Sequence, residues 1–352
     1  MSERSLADTF RRLIASTGPI SIAHFMAESN ARSYAGKDPL GAAGDFVTAP
    51  EISQMFGELI GLWLADMWIR AGKTEPVHYV ELGPGRGTLA RDALRAMKRY
   101  GLEPAVHLVE GSTELKRLQL EAVPQAQFHA DLSRVPMDGP ILLVANEFLD
   151  ALPVRQLVMT AEGWREIMVA TDERGKFVLA AGRQPMDAAV PEPRRAAEPG
   201  TVLETCPAAA AVMFEAAGRL AGQGGAALIV DYGHAEPRAG STLQAVARHR
   251  KVDPLAAPGE ADLTAHVDFA TMADIARSRG ARWLGTVAQG AWLRALGIEA
   301  RADALADFAP QHRDALMRAK DRLTADGEMG LLFKVMGLAA PTWPDGAGFE
   351  GD

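Results

Sequence analysis

Ten residues, Val80-Glu81-Leu82-Gly83-Pro84-Gly85-Arg86-Gly87-Thr88-Leu89, do most to restrict what this chain can fold into. The apolar run from Val77 to Leu82 predicts a buried parallel strand, and the alternating glycines at 83, 85 and 87 close it. Leu89 to Tyr100 has the spacing of an amphipathic helix. Strand, glycine turn and helix in that order form one βα unit of an open α/β sheet. Glycine there allows a tight turn and lets a ligand lie against bare backbone, where the helix N-terminus offers N–H groups. The junction predicts a nucleotide-type ligand.

The spacing narrows which nucleotide. The dinucleotide pattern is G-x-G-x-x-G, with an acid only about 20 residues further on. Here the glycines alternate, and Glu81 stands two residues before the first of them. A carboxylate aimed at the ligand would repel a pyrophosphate and attract a cation. S-adenosylmethionine carries a sulfonium and an ammonium and has no phosphate, so the pattern favours a methyl donor over a nicotinamide cofactor. Glycine triplets after strands also occur as plain turns, so other residues must carry the rest.

They follow in series. Ala105 to Val109 predicts the next strand, ending at Glu110, placed to accept hydrogen bonds from ribose hydroxyls. Phe128-His129-Ala130-Asp131-Leu132 predicts a third, with Asp131 at its end placed to read the adenine amino group. Ile141 to Ala145 is a fourth, running into Asn146-Glu147-Phe148-Leu149-Asp150. Ligands of open α/β sheets bind outside the carboxyl ends of the strands, so these ends converge on one crevice. Any one acid could be a solvated helix cap. Polar groups in register after four successive strands argue otherwise.

With those motifs in view, the chain resembles the MidA-like methyltransferases, a family that includes the mitochondrial complex I assembly factor that methylates an arginine. The resemblance is carried by Gly44-Asp45-Phe46-Val47-Thr48-Ala49-Pro50-Glu51-Ile52-Ser53-Gln54-Met55-Phe56-Gly57-Glu58, by the glycine loop, and by Asn146 to Gln156. It resumes at Asp231-Tyr232-Gly233, at Gly259 to Phe269 and at Met329 to Val335, and so spans about residues 18 to 337. Two places depart from the family pattern. Ala31-Arg32-Ser33-Tyr34-Ala35 lacks a paired tyrosine, and Gly111-Ser112 replaces a proline after the second-strand acid. The resemblance implies a class I methyltransferase fold, a Rossmann-like doubly wound mixed sheet. It also implies S-adenosyl-L-methionine as cofactor and an arginine on an iron–sulfur core subunit of respiratory complex I as acceptor.

Composition excludes other classes. A chain of 352 residues with 48% apolar content can bury a large core and an appended subdomain. The formal net charge of −8 and the lack of a basic stripe argue against a nucleic-acid partner. The lone Cys206 fits a reducing compartment, and the histidines lack metal-ligand spacing, so no metal is expected. No apolar run approaches the ~18 residues that span a bilayer. The segment from Met1 to Thr17 patterns as an amphipathic helix, and Glu3 and Asp8 make it a poor transit or secretory signal. The expected location is the cytoplasm of a bacterium, or the mitochondrial matrix if the chain is eukaryotic. The oligomeric state is left open, a homodimer included.

The organisation expected is a helical N-terminal extension (1–75), with a long helix over Glu51 to Arg70, and a core of 76–153 and 206–340. A β-rich insertion for substrate (154–205) and a flexible tail (341–352) complete it. Strands are expected at Arg155 to Met159, Trp164 to Ala170 and Lys176 to Ala180, then a Pro- and Arg-rich surface loop over Pro185 to Pro199. Helices are expected over Ala208 to Gly222, Ala270 to Ser278 and Ala302 to Leu323, and strands over Gly225 to Val230 and Gly330 to Met336.

The chemistry sets the candidate residues. Methyl transfer from a sulfonium is an in-line displacement, so the protein chiefly positions donor and acceptor. An arginine acceptor is protonated at any working pH, and its attacking nitrogen lacks a free lone pair until a proton leaves. Carboxylates can hold the guanidinium fork and aid that loss. Glu147, Asp150, Asp231 and Glu51 are the candidates, though Asp150 could cap a helix and Glu51 could serve a helix dipole. Glu81, Gly83, Pro84, Gly85, Gly87, Glu110, Asp131, Leu132 and Asn146 are expected around the donor, with Phe46, Thr48 and Pro50 folded over it as a lid. His266 is a candidate substrate contact, against the plainer alternative of a satisfied core histidine. Other acceptors remain compatible with the sequence, a small molecule or another side chain. So does a donor-binding assembly chaperone without turnover.

Overall fold

The computed structural model describes residues 5–34, 48–247 and 250–349, leaving out the side chains of Tyr34, Pro193 and Ala247. It separates into two compact units, one from the described parts of Val47–Leu149, Ala210–Glu236 and Val267–Asp352, the other from those of Met1–Phe46, Asp150–Ala209 and Pro237–His266.

The first unit is built on a mixed sheet. Its strands are β1 (His78–Leu82), β2 (Ala105–Val109), β3 (Gln127–His129), β4 (Ile141–Asn146), β5 (Gly225–His234), β6 (Arg282–Ala288) and β7 (Phe333–Ala339). They lie in the order β6-β7-β5-β4-β1-β2-β3, with the short strand Val267–Asp268 also pairing to β5. From β5 to β3 all neighbours are parallel, while β7 runs antiparallel to both β5 and β6. The chain walks outward from β1 through β2 to β3, then returns to the other side of β1 as β4. The β1–β4 seam is therefore the switch point, where the strand ends open a crevice.

Burial explains why these segments are strands. Every residue of β1 and β4 is buried, as expected for central parallel strands covered on both faces. One cover consists of helices α1 (Gln54–Arg70) and α2 (Thr88–Lys98), which approach closely because α1 carries glycine at the contact. A Cβ at Gly61 would lie 2.3 Å from the Ala93 carbonyl oxygen, and one at Gly57 2.8 Å from the Asp92 Cβ. Between these helices, burial would raise the Glu58 carboxyl, but hydrogen bonds from Arg301 and Arg95 hold it below its usual range.

On one face of β1, β2 and β3 three histidines line up. His78 Nδ1 is 2.9 Å from His107 Nε2, His107 Nδ1 is 2.9 Å from His129 Nε2, and His78 Nε2 is 2.9 Å from Asp138 Oδ1. The set is a hydrogen-bonded string, and no group among the described residues has the arrangement of a metal site.

The second unit is β-rich. Gly163–Thr171 lies between Arg155–Thr160 and Phe177–Pro185, with Ile20–Ser21 also pairing to it and Val202–Thr205 on the far side of Arg155–Thr160. A smaller sheet joins Arg250–Val252, Gln244–Ala247 and Asp262–Thr264. The helices Leu6–Thr17 and Ile22–Tyr34 bring Phe10 and Phe25 against Phe177, with ring centroids 4.8 to 6.3 Å apart.

Several boundaries differ from expectation. The N-terminal extension is divided, because Leu6 to Tyr34 packs in the β-rich unit and Thr48 onward in the other. The long helix over Glu51 to Arg70 is broken at Ser53, whose extended backbone ends Ala49–Ile52 and whose hydroxyl caps α1. The helix over Ala302 to Leu323 is likewise two, Ile298–Phe308 and Arg313–Thr324, parted at Pro310. Met329–Leu332 is a helical turn, so β7 starts only at Phe333. The Pro- and Arg-rich loop contains short helical turns, with Val190 buried between them. The tail is packed as far as Phe349: Trp343 and Phe349 are core residues, and Phe349 meets Trp63 edge-on at 6.0 Å.

Candidate donor and active site

The glycine loop is shaped by three left-handed glycines, Gly83 (φ 62°), Gly85 (φ 53°) and Gly87 (φ 79°). Any other L-residue there would cost roughly 1–2 kcal/mol in backbone strain. The Gly83 N–H donates to the Val109 carbonyl (3.1 Å), tying the loop to the end of β2, and the Gly87 N–H donates to that of Pro84 (2.7 Å). At Gly83 a Cβ would come within 2.6 Å of the Phe148 ring. Gly87 then caps α2, whose first N–H groups face the loop side.

A residue the sequence did not single out braces this loop. Gln119, on the helix α3 (Thr113–Ala122), donates from Nε2 to both the Gly85 carbonyl (2.7 Å) and Glu110 Oε2 (3.1 Å). The other Glu110 oxygen accepts from the Ser112 N–H (2.7 Å). One amide thus fixes the glycine loop relative to the acid after β2. A helical glutamine has no distinctive sequence pattern, so only the fold reveals it.

Glu81 is 2% exposed and accepts a 2.6 Å hydrogen bond from the hydroxyl of Tyr79, itself fully buried. Burial pushes its carboxyl up to about 8, only partly opposed by the Tyr79 hydrogen bond. Burial thus favours the neutral carboxyl, while the Tyr79 hydroxyl favours the charged one.

The end of β4 holds the most constrained residues. Glu147 has φ 49°, one of two non-glycine residues with positive φ among those described. Its N–H donates to the Val230 carbonyl of β5 (2.8 Å), and its Oε1 accepts from the Ala49 N–H (3.0 Å) and from Asn146 Nδ2 (3.2 Å). The carboxylate is thereby clamped between β4 and the turn Ala49–Ile52. Asp231, 1% exposed on β5, holds the next residues: Oδ2 accepts from the N–H groups of Phe148 (3.2 Å) and Leu149 (3.0 Å), and Oδ1 from its neighbour Tyr232 (3.0 Å). Asn146 Oδ1 is buried without a hydrogen-bond partner among the described residues.

The other expected residues are distributed as follows. Glu51 accepts from the Thr88 hydroxyl, joining the Ala49–Ile52 turn to the first turn of α2. Thr48 caps that turn through its backbone carbonyl, and Pro50 is buried in it. Asp131 is exposed and accepts from the Ser133 N–H and hydroxyl; chiefly the latter bond holds its carboxyl below the usual range. Leu132 is buried behind it. Phe46 lies outside the described residues. Asp150 and His266 belong to the β-rich unit, where the Asp150 carbonyl accepts from the Ala265 N–H (3.0 Å) and the His266 N–H donates to the Thr242 hydroxyl (2.8 Å).

Within the first unit the strand ends therefore bring together Glu81, Glu110, Asn146 and Glu147 beside a bare glycine turn. This donor set is acceptor-rich. It suits a ligand that offers an ammonium and hydroxyls, and the orphaned Asn146 carbonyl oxygen needs such a donor. The residues fit S-adenosyl-L-methionine.

Comparison with known proteins agrees with that chemistry. The family of S-adenosyl-L-methionine-dependent methyltransferases matches residues 59–287. The rat protein named mitochondrial protein arginine methyltransferase NDUFAF7 is 38% identical, the alignment covering 92% of this chain and 82% of that one. Its Drosophila melanogaster homologue is 36% identical, with 95% and 84% covered. A Burkholderia thailandensis crystal structure bound to S-adenosyl-homocysteine superposes with a TM-score of 0.82 at 30% identity, covering 98% of this chain and 92% of that one.

Proposed function

Because the chain belongs to the S-adenosyl-L-methionine-dependent methyltransferase family that these relatives represent, we propose that it methylates an arginine side chain of a protein. It is a methyltransferase of class I architecture, and S-adenosyl-L-methionine is its cofactor. The arginine acceptor is supported by the shared name of the mammalian and insect relatives, which align over most of this chain. An iron–sulfur core subunit of respiratory complex I, methylated during assembly, is the acceptor protein we favour, on the family resemblance of the Gly44 to Glu58, glycine-loop and Asn146 to Gln156 motifs. The compartment we assign is the cytoplasm for a bacterial chain and the mitochondrial matrix for a eukaryotic one, the rat and Drosophila relatives being named mitochondrial.

The observation that carries the catalytic assignment is the geometry of Glu147. A carboxylate held at the carboxyl end of a switch-point strand, on a residue kept at φ 49°, is strained and clamped at once. Such strain costs of order 1–3 kcal/mol and is retained where a side chain must be aimed. When bound, the cofactor supplies an activated methyl group on a sulfonium. The protein's share is to hold the guanidinium, draw its positive charge away from the attacking nitrogen and receive the proton that nitrogen loses. Glu147 does this in our assignment. Asp231 acts through it as a positioning residue, since its oxygens secure the backbone that follows. Glu81, Gly83, Pro84, Gly85, Gly87, Glu110 and Asn146 would hold the donor, with Asp131 and Leu132 at the adenine end. Thr48, Pro50 and Glu51 would close over it, and Asp150 and His266 are assigned to the acceptor.

Glu147→Gln keeps the size and both hydrogen bonds to the oxygen but removes the charge. Turnover should fall at least about 10²-fold, while S-adenosyl-homocysteine affinity, read by titration calorimetry, stays within about twofold of the unsubstituted enzyme. Undiminished turnover would remove Glu147 from the mechanism.

A further inference from the structure

The β-rich unit contains a cavity of 290 Å³, lined among others by Trp164, Arg194, Leu203, Pro237 and Arg238. Trp164 is 1% exposed and fixed at both ends, its ring N–H donating to the Arg195 carbonyl (3.0 Å) and its backbone N–H to Asp187 Oδ1 (3.2 Å). Arg194 comes from the helical turn Glu192–Arg195, and Arg238 from the segment after β5, so two distant parts of the chain each contribute one arginine to the lining of the same cavity.

Several arginines of this unit are paired with acids. Arg11 bonds Asp8, Arg155 approaches Glu166, Arg165 approaches Glu162, and Arg195 takes Glu192, the acid nearest Arg194 in sequence. Among the described residues neither Arg194 nor Arg238 makes an ion pair. In a chain with a net charge of −8, two guanidinium groups without acids beside an apolar wall form a site complementary to anions. A guanidinium recognises a carboxylate bidentately, and the apolar lining takes the aliphatic part of a side chain. The volume lies at the lower edge of the ~300–1,000 Å³ typical of small-molecule sites, enough for a few side chains.

We propose that the cavity between Arg194 and Arg238 docks an acidic segment of the protein acceptor, through residues none of which takes part in holding the methyl donor. This rests on the acceptor being a protein. It adds that substrate choice is made partly by carboxylates elsewhere on that protein, so arginine-containing segments with acidic sequence nearby are preferred.

The test uses the whole enzyme and two labelled synthetic peptides, one with a run of glutamates and one with glutamines in their place, read by fluorescence anisotropy. The glutamate peptide should bind at least about tenfold more tightly than the glutamine peptide. R194A/R238A should lose that preference, while R194K/R238K, which restores both charges, recovers part of it. Affinity for S-adenosyl-homocysteine should not change in either variant, which also reports that both are folded. Equal binding of the two peptides, or an undiminished preference in R194A/R238A, would overturn the proposal. Displacement of the glutamate peptide by inorganic phosphate at concentrations where sodium acetate has no effect would also overturn it, in favour of a phosphate site. The assay reads binding alone, so its failure leaves arginine methylation standing, and a failure of arginine methylation leaves it interpretable.

Discussion

Glu147 combines a left-handed backbone angle, a carboxylate oxygen bonded from two sides and a main chain tied to β5. Its position after a buried apolar strand was legible in the sequence, because an acid just past such a run has no core role to play. Its strained φ was not, since no pattern announces a left-handed glutamate. The same division runs through the site. Gly83, Gly85 and Gly87 declare themselves, whereas Gln119 and the bracing role of Asp231 depend on which strands and helices become neighbours. Glu81 shows a third case: its place was visible, but its protonation is set by burial against Tyr79. At this scale Gly83→Val is the sharp test. The substitution combines roughly 1–2 kcal/mol of backbone strain with a clash against Phe148. S-adenosyl-homocysteine binding should be lost in calorimetry; a variant that still binds normally would show that the turn does not shape the donor site.

Among the elements, the parallel strands were the easiest to foresee, because β1, β4 and β5 are mostly apolar and buried on both faces. Helix ends were harder. Ser53 and Pro310 each divide a periodic stretch, and the competing local signal, a cap in one and a ring without an N–H in the other, wins over periodicity. The histidine string across β1, β2 and β3 could not have been read from spacing, as His78, His107 and His129 meet only through strand register. Carboxylate Asp138 at one end favours a run of N–H donors pointing toward it. Burial, followed by the charges that His78 and His129 would carry, pushes the His107 imidazole down from 6.5 to about 4. The unfolded chain then binds more protons than the folded one between those values, so stability rises with pH across that window. Denaturant titrations should show on the order of 3 kcal/mol of stability lost as pH falls from 6.5 to about 4, and H107N should flatten that slope. An unchanged slope in the variant would mean that the string is not what titrates.

For the whole molecule, the sequence located the change from a doubly wound sheet to short antiparallel strands near Val154, and the second segment of the β-rich unit begins at Asp150. It did not reveal that Leu6 to Tyr34 packs with those strands, because an amphipathic helix states that it has a buried face without stating against what. Nor did it reveal that the chain end to Phe349 is core, since Trp343 and Phe349 are isolated aromatics among glycines and prolines. Family and donor were both legible, being written in contiguous motifs. The acceptor is the part that motifs around the donor cannot encode, and it carries the functional claim. Mass spectrometry of the respiratory complex I core subunits, from cells with the gene, without it, and with Glu147→Gln in its place, addresses that claim directly. A methylated arginine should be present in the first and missing from the other two. The same arginine modified equally in all three would contradict the account.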